Sequence, residues 1–144
     1  MKNSCLFLVF LFSIAGNAQD WQTNFDSALA EALAENKPLL LVFSGSDWCA
    51  PCIKLDRSIW QSEEFQTHSE KNYVLYKADF PRKKKNQLDK SISIQNNALA
   101  ERYNPKGYLP LVLILNENGE VLGKTGFQNI PPSAYIDLLD SFDK

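Results

Sequence analysis

The sequence is poor in the residues that build metal sites and disulfide scaffolds. It holds one histidine, His68, and three cysteines, Cys5, Cys49 and Cys52. A structural zinc site takes four ligands, most often Cys or His, so zinc is disfavoured here; a soft-metal site using two thiolates stays open. A disulfide-braced secreted domain spreads several cysteines along its chain, and that pattern is missing too. There is no internal repeat, and no low-complexity stretch beyond the basic run Pro81 to Lys85. Basic excess is also absent: the net charge is -2, so the balance points to no nucleic-acid partner. The apolar run from Leu6 to Ala15 is too short for a spanning helix, which needs roughly 20 residues. What remains is a chain of 144 residues, 44% hydrophobic and 22% charged, the size and balance of one globular domain.

The first stretch reads as an export signal. Lys2 gives a positive start, Leu6 to Ala15 an apolar core, and Gly16 and Ala18 the small residues before a cleavage point. The expected organisation is therefore a signal peptide over residues 1–18 and one domain over 19–144. An uncleaved anchor is the other reading, and the short core weighs against it. Cys5 precedes the apolar core, is badly placed for lipid attachment, and would leave with the signal. Cleavage removes Lys2 and no acid, leaving 14 basic residues against 17 acidic ones. It also leaves only Cys49 and Cys52, in the stretch Ser46-Asp47-Trp48-Cys49-Ala50-Pro51-Cys52. Exported proteins meet an oxidising compartment, where disulfides persist. A link closing so small a loop constrains little of the unfolded chain, so structural bracing is a poor account of it.

Periodicity places the elements. Thr23 with Asp26 resembles a capping box. Phe25, Leu29 and Leu33, with Ala28 and Ala32 beside them, give a helical face that Asn36 and Pro38 end. Pro38 to Gly45 is a continuous apolar run, as in a strand buried on both faces. A helix is expected from near Cys49, with Ile53, Ile59, Trp60 and Phe65 at partial helical spacing and a kink near Ser58. Tyr73 to Phe80 reads as a strand, Pro81 to Lys90 as a polar loop, and Ser93 to Tyr103 as a short helix ended by Asn104 and Pro105. Leu109 to Leu115 and Glu120 to Phe127 read as a hairpin around Asn118-Gly119. Pro131 to Phe142 is a last helix opened by prolines, with Tyr135, Leu138, Leu139 and Phe142 as its stripe. Alternating strands and helices closed by a hairpin make an α/β domain, a central mixed sheet of about four strands with helices on both faces.

Trp48-Cys49-Ala50-Pro51-Cys52 resembles the Trp-Cys-Gly-Pro-Cys signature of the thioredoxin superfamily, with Ala in place of Gly. The stretch from Glu101 to Val121 is similar to that family's passage from a helix to its cis-proline and last hairpin. Together the two motifs identify the chain as resembling exported bacterial thioredoxin-like proteins over about Phe25 to Phe142. The resemblance implies a thioredoxin-like fold, Cys49 and Cys52 as the redox pair, and Pro110 as the cis-proline. It places Leu109 and Trp48 at the substrate, with no cofactor and no metal. Two departures stand out. The family's buried acid, six residues before the first cysteine, is Phe43 here, and the loop after Phe80 is longer than in small thioredoxins.

The chemistry suits the spacing. A thiolate attacks a disulfide, and a sulfur at the amide-rich start of a helix is favoured as a thiolate. Cys49 is expected there as the attacking sulfur, and Cys52, one turn on and more buried, as the resolving one. Leu109 would offer its backbone to an extended substrate segment. Asp47 reads as an ordinary exposed acid, Arg82 to Lys85 as a solvated loop, and His68 as a plain surface residue. The expected activity is reduction of protein disulfides in the periplasm, with protein dithiols and disulfides as partners and a membrane protein as electron donor. A disulfide oxidase or isomerase, or a non-enzymatic metal- or client-binding module, is the alternative. The sequence leaves the oligomeric state open.

Overall fold

In the computed structural model, which describes residues 19–144, the elements are β1 (Trp21–Gln22), α1 (Phe25–Glu35), β2 (Leu39–Ser44), α2 (Ala50–Leu55), α3 (Glu63–Asn72), β3 (Val74–Asp79), α4 (Lys90–Tyr103), β4 (Leu111–Leu115), β5 (Val121–Thr125) and α5 (Pro132–Asp140). The expected signal segment, with Cys5, lies outside the described residues. The strands form one five-stranded sheet in the order β1-β3-β2-β4-β5. β1, β3 and β2 run parallel, while β4 lies antiparallel to β2 and β5 antiparallel to β4.

β2 is the centre of the molecule, and all six of its residues are buried. Its side chains alternate between two cores, as the pleat requires. Leu40 and Val42 face a core built with Leu55, Phe65 and Tyr135 from α2, α3 and α5. Leu39, Leu41 and Phe43 face the other, built with Ala28 and Ala32 of α1 and Leu99 of α4. Fully burying one such aliphatic side chain contributes about 1.5–3 kcal/mol, so a strand buried on both faces anchors both layers at once. The expected two-sided sheet is what forms, widened by β1. That strand escapes the sequence pattern because two residues are too few to show a period.

The kink expected near Ser58 is a π turn, Asp56–Trp60, running on from α2. Its signature is the Gln61 amide donating five residues back to the Asp56 carbonyl at 2.9 Å. One extra residue in the turn rotates the register, so the adjacent Ile59 and Trp60 both face the core. Trp60 then packs against Phe65 (ring centroids 4.7 Å apart), Tyr135 (5.7 Å) and Trp21 (6.0 Å), which fastens β1 to the body. A fresh helix, α3, starts at Ser62, whose hydroxyl caps the Phe65 amide.

Four local expectations are corrected. Asn24 rather than Thr23 caps α1, accepting from the Ser27 amide at 2.8 Å. Leu33 is 64% exposed, because Ala28 and Ala32 set the buried face and leave no room for a wider stripe against the sheet. α4 begins at Lys90, three residues before the expected start. On α5 it is Ile136, not Leu138, that joins Tyr135 and Leu139 in the buried set. The hairpin forms as expected, with Gly119 at φ 75° and the Asn116 carboxamide oxygen accepting from the Asn118 and Glu120 amides.

Candidate active site

The end of β2 feeds a tight turn. The Cys49 amide donates to the Gly45 carbonyl at 2.9 Å, and Cys49 then caps α2, its own carbonyl accepting from Ile53 at 3.0 Å. Pro51 occupies the first turn, where a missing N–H costs nothing. Cys49 and Cys52 are joined as a disulfide. Both residues are buried, Cys49 at 6% exposure and Cys52 at 3%, so in the oxidised form the leading cysteine is far less open than the accessible thiol expected from the sequence. Cys49 thus lies at the start of a helical run, where unpaired amides favour a thiolate.

The Leu109–Pro110 peptide bond is cis. Pro110 is buried and Leu109 half-buried at the start of β4. Pro110 shares the wall of an open groove of about 700 Å³ with Pro51, Leu109, Gly126 and Phe127, which brings the two distant motifs to one surface. Two bonds hold that wall. Asn104, 5% exposed, donates to the Tyr108 carbonyl at 2.7 Å and accepts the Tyr108 amide at 2.9 Å, fixing the approach to Leu109. Fully buried Tyr135 donates to the Gly126 carbonyl at 2.9 Å, and loss of hydration keeps its phenol above the ordinary tyrosine range. The sequence marked Asn104 only as a helix stop; the same Asn-Pro pair signals a turn whose side chain binds its own backbone.

The three residues before Cys49 are each tied to the segment Asp79–Asn86. Ser46 donates its amide to Asp79 at 2.9 Å and its hydroxyl to the same carboxylate. The Asp47 carboxylate accepts the Arg82 amide (2.9 Å), the Lys83 amide (2.9 Å) and the Asn86 carboxamide (3.0 Å). Trp48 donates its indole N–H to the Phe80 carbonyl at 2.8 Å and lies beneath Arg82, whose guanidinium carbon is 3.4 Å from the ring centroid. The indole also packs against Gly45, where a Cβ would stand 2.5 Å from the ring. Asp47 is therefore a loop anchor: the Arg82 amide, and then Asn86 and Lys83, hold its carboxyl below the usual aspartate value. The long loop faces the disulfide side of the molecule, and its basic run is pinned. Phe43, at the place of the family's buried acid, is 0% exposed in an apolar core.

His68 stands apart from this region. Its Nε2 is 2.9 Å from the Asp140 carboxylate, which also accepts the hydroxyl of Tyr73 at the end of α3, so it joins α3 to α5 instead of standing free on the surface. Among the described residues, no cluster of three or more His, Cys, Asp or Glu side chains is placed to hold a metal ion.

Comparison with known proteins agrees with this geometry. A family model described as thioredoxin-like matches residues 20–117. The disulfide bond reductase DsbH of Chlamydia pneumoniae is 33% identical over 127 residues, spanning 88% of this chain and 74% of that protein. The thioredoxin-related protein DsbJ of the same organism is 29% identical over 119 residues, covering 83% of this chain but 34% of DsbJ. A solved DsbH oxidoreductase superposes with a TM-score of 0.81 at 29% identity, covering 96% of this chain and 94% of that one.

Proposed function

Because the chain belongs to the thioredoxin-like family, we propose that it is a thiol–disulfide oxidoreductase that reduces disulfides in exported proteins. The observation that carries this reading is the Cys49–Cys52 disulfide at the head of α2, with Pro51 and the cis Pro110 on one groove. In the reduced protein, the Cys49 thiolate attacks one sulfur of a substrate disulfide. A Cys49–substrate bond forms, the substrate bond breaks, and the first substrate thiolate leaves. Cys52, as thiolate, then attacks the Cys49 sulfur. The intramolecular disulfide re-forms, the second substrate thiolate leaves, and two electrons have passed to the substrate.

The groove residues have separate tasks in this reading. Leu109 offers backbone groups to an extended substrate segment, as a strand edge does, and Pro110 walls the same groove. Trp48 borders the site and keeps the loop beside it. Asp47 is committed to three donors, and Phe43 cannot take a proton, so Cys52 gives its proton to solvent. The reductase direction is supported by the similarity to a protein named as a disulfide bond reductase. Each turnover leaves the pair oxidised, so a donor must return two electrons; the periplasm after export by residues 1–18, and a membrane electron carrier, complete the scheme.

The test is dithiothreitol-driven reduction of insulin. Turnover by the wild type and none by Cys49→Ser is the expected result. Stoichiometric copper binding with no turnover would overturn it in favour of a binding module. A redox titration of the pair fixes the direction, since 30 mV in a two-electron couple corresponds to about 1.4 kcal/mol.

A further inference from the structure

A run of cations on a loop is ordinarily solvated and free to wander. The run Arg82 to Lys85 is not free. The amides of Arg82 and Lys83 point inward to Asp47, and the Asn86 amide closes a turn on the Lys83 carbonyl at 2.9 Å. With the backbone held from inside, all four residues remain exposed, Arg82 lying over Trp48. None of the four is in an ion pair among the described residues. The anchor, Asp47, lies two residues before Cys49, and the first cation is stacked on Trp48, next to Cys49 in sequence.

The opposite flank has the same sign. The groove beside Pro51 and Pro110 is walled by Lys106 and Lys124 and by no acid. Lys54, on α2, sits 5.2 Å from the centre of the Phe127 ring on that wall. The acids around the cysteine turn are engaged: Asp47 by the loop amides, Asp79 by Ser46, and Asp56, four residues after Cys52, by Lys77 at 3.1 Å. A chain with 17 acidic and 15 basic residues thus frames its disulfide with cations on both sides.

We propose that the polypeptide exchanging with Cys49 docks as an extended segment with acidic side chains on both sides of its cysteine, one set against Arg82–Lys85 and the other against Lys106 and Lys124. This rests on the oxidoreductase reading and adds the substrate class. The groove that carries Lys106 and Lys124 is otherwise lined largely by apolar and aromatic residues, which suits a peptide backbone with an apolar side chain. A flat lipid surface would reach the cations and leave the groove empty.

The probes are three short peptides, each with one cysteine capped as a mixed disulfide with thionitrobenzoate, flanked by aspartates, by serines or by lysines. The reduced protein's Cys49 thiolate attacks the peptide sulfur, a Cys49–peptide disulfide forms, and the coloured thionitrobenzoate anion leaves. Cys52 then displaces the peptide thiolate and closes the pair. Electrostatic attraction between a charged rim and its ligand raises association by about tenfold or more at low salt. In this single turnover of the reduced protein the acidic peptide is therefore expected to exceed the serine peptide in second-order rate constant by about tenfold, with the gap closing toward about 0.5 M salt. In K83Q/K84Q/K85Q the acidic-to-neutral ratio falls severalfold. In K83E/K84E/K85E the preference turns toward the lysine peptide. These substitutions spare the amides that bind Asp47, and circular dichroism checks the fold. Equal rates with all three peptides, or ratios untouched in both variants, overturn this proposal alone. So does tight binding to phosphatidylglycerol vesicles with no discrimination among peptides. A protein that releases no chromophore from any peptide overturns the oxidoreductase reading, and this one with it.

Discussion

Asp79, the last residue of β3, accepts both the amide and the hydroxyl of Ser46, two residues past the end of the neighbouring strand β2. The bond ties the cysteine turn to the sheet from outside the turn's own sequence. Asp79 is in turn held from below, because buried Asn96 donates to its carbonyl at 3.1 Å and accepts the Tyr76 hydroxyl at 2.7 Å. A chain of polar contacts therefore runs from α4 to within three residues of Cys49.

Asp79→Ala removes the acceptor for two donors. Hydrogen bonds to a charged group contribute roughly 1.5–3 kcal/mol each when well formed. At this half-buried position a loss of about 1–2 kcal/mol is expected in urea unfolding of the oxidised protein. Asp79→Asn, which keeps an acceptor, should lose less than half as much.

Cys52→Ser separates the roles of the two sulfurs. Attack by Cys49 persists while resolution fails, so a covalent Cys49–substrate species accumulates. Mass spectrometry of the variant mixed with an oxidised peptide should show an adduct that dithiothreitol removes. Cys49→Ser mixed with the same peptide should show little adduct at short times. The reverse pattern would exchange the two roles.

The anchor at Asp47 is pH-dependent with a defined sign. Its carboxyl is held below the ordinary value of 3.8 by the Arg82 amide first, then Asn86 and Lys83. A group depressed in the folded state contributes stability above its unfolded value and loses that contribution as pH falls through the folded value. The loop should therefore stay docked through pH 7 down to about pH 4 and loosen below that. In an NMR titration the Arg82 and Lys83 amide shifts should move together, with one midpoint below 3.8. In Asp47→Asn that transition should vanish. A midpoint above 3.8 would contradict the assignment.

Gly45→Ala tests the seat of Trp48. The added methyl would meet the indole at 2.5 Å, far inside contact distance, so the ring has to move. Moving it breaks the bond to the Phe80 carbonyl and the stack under Arg82. A shift and intensity change in tryptophan emission is expected, together with a lower acidic-peptide preference, while the melting temperature falls by only a few degrees.

The elements that sequence made legible were those with length and a single solution. Leu39 to Ser44 is apolar at every position but its last, so a strand with two covered faces was its natural reading. Pro110 was legible only through resemblance, since nothing local to Leu109-Pro110 distinguishes cis from trans. Three things were hidden. β1 is held by pairing with β3 and by Trp21 packing on Trp60, contacts made across the chain. Leu33 fits the helical period yet faces water, because a period fixes a face and leaves its width open. The tasks of Asp47 and Asp79 depend on donors more than thirty residues away, where no spacing rule reaches.

Ser44 and Asp79 stand opposite each other in the parallel ladder of β2 and β3, and the Phe80 amide closes the row on the Ser44 carbonyl at 2.8 Å. The redox turn and the cation-bearing loop therefore leave the sheet side by side, joined by contacts that involve neither sulfur. On the docking proposal above, the address and the chemistry are separable parts of this layout. A different loop grafted between Phe80 and Leu88, with Asp47 still supplied its donors, would change which partner is served and leave the path of the electrons as it is.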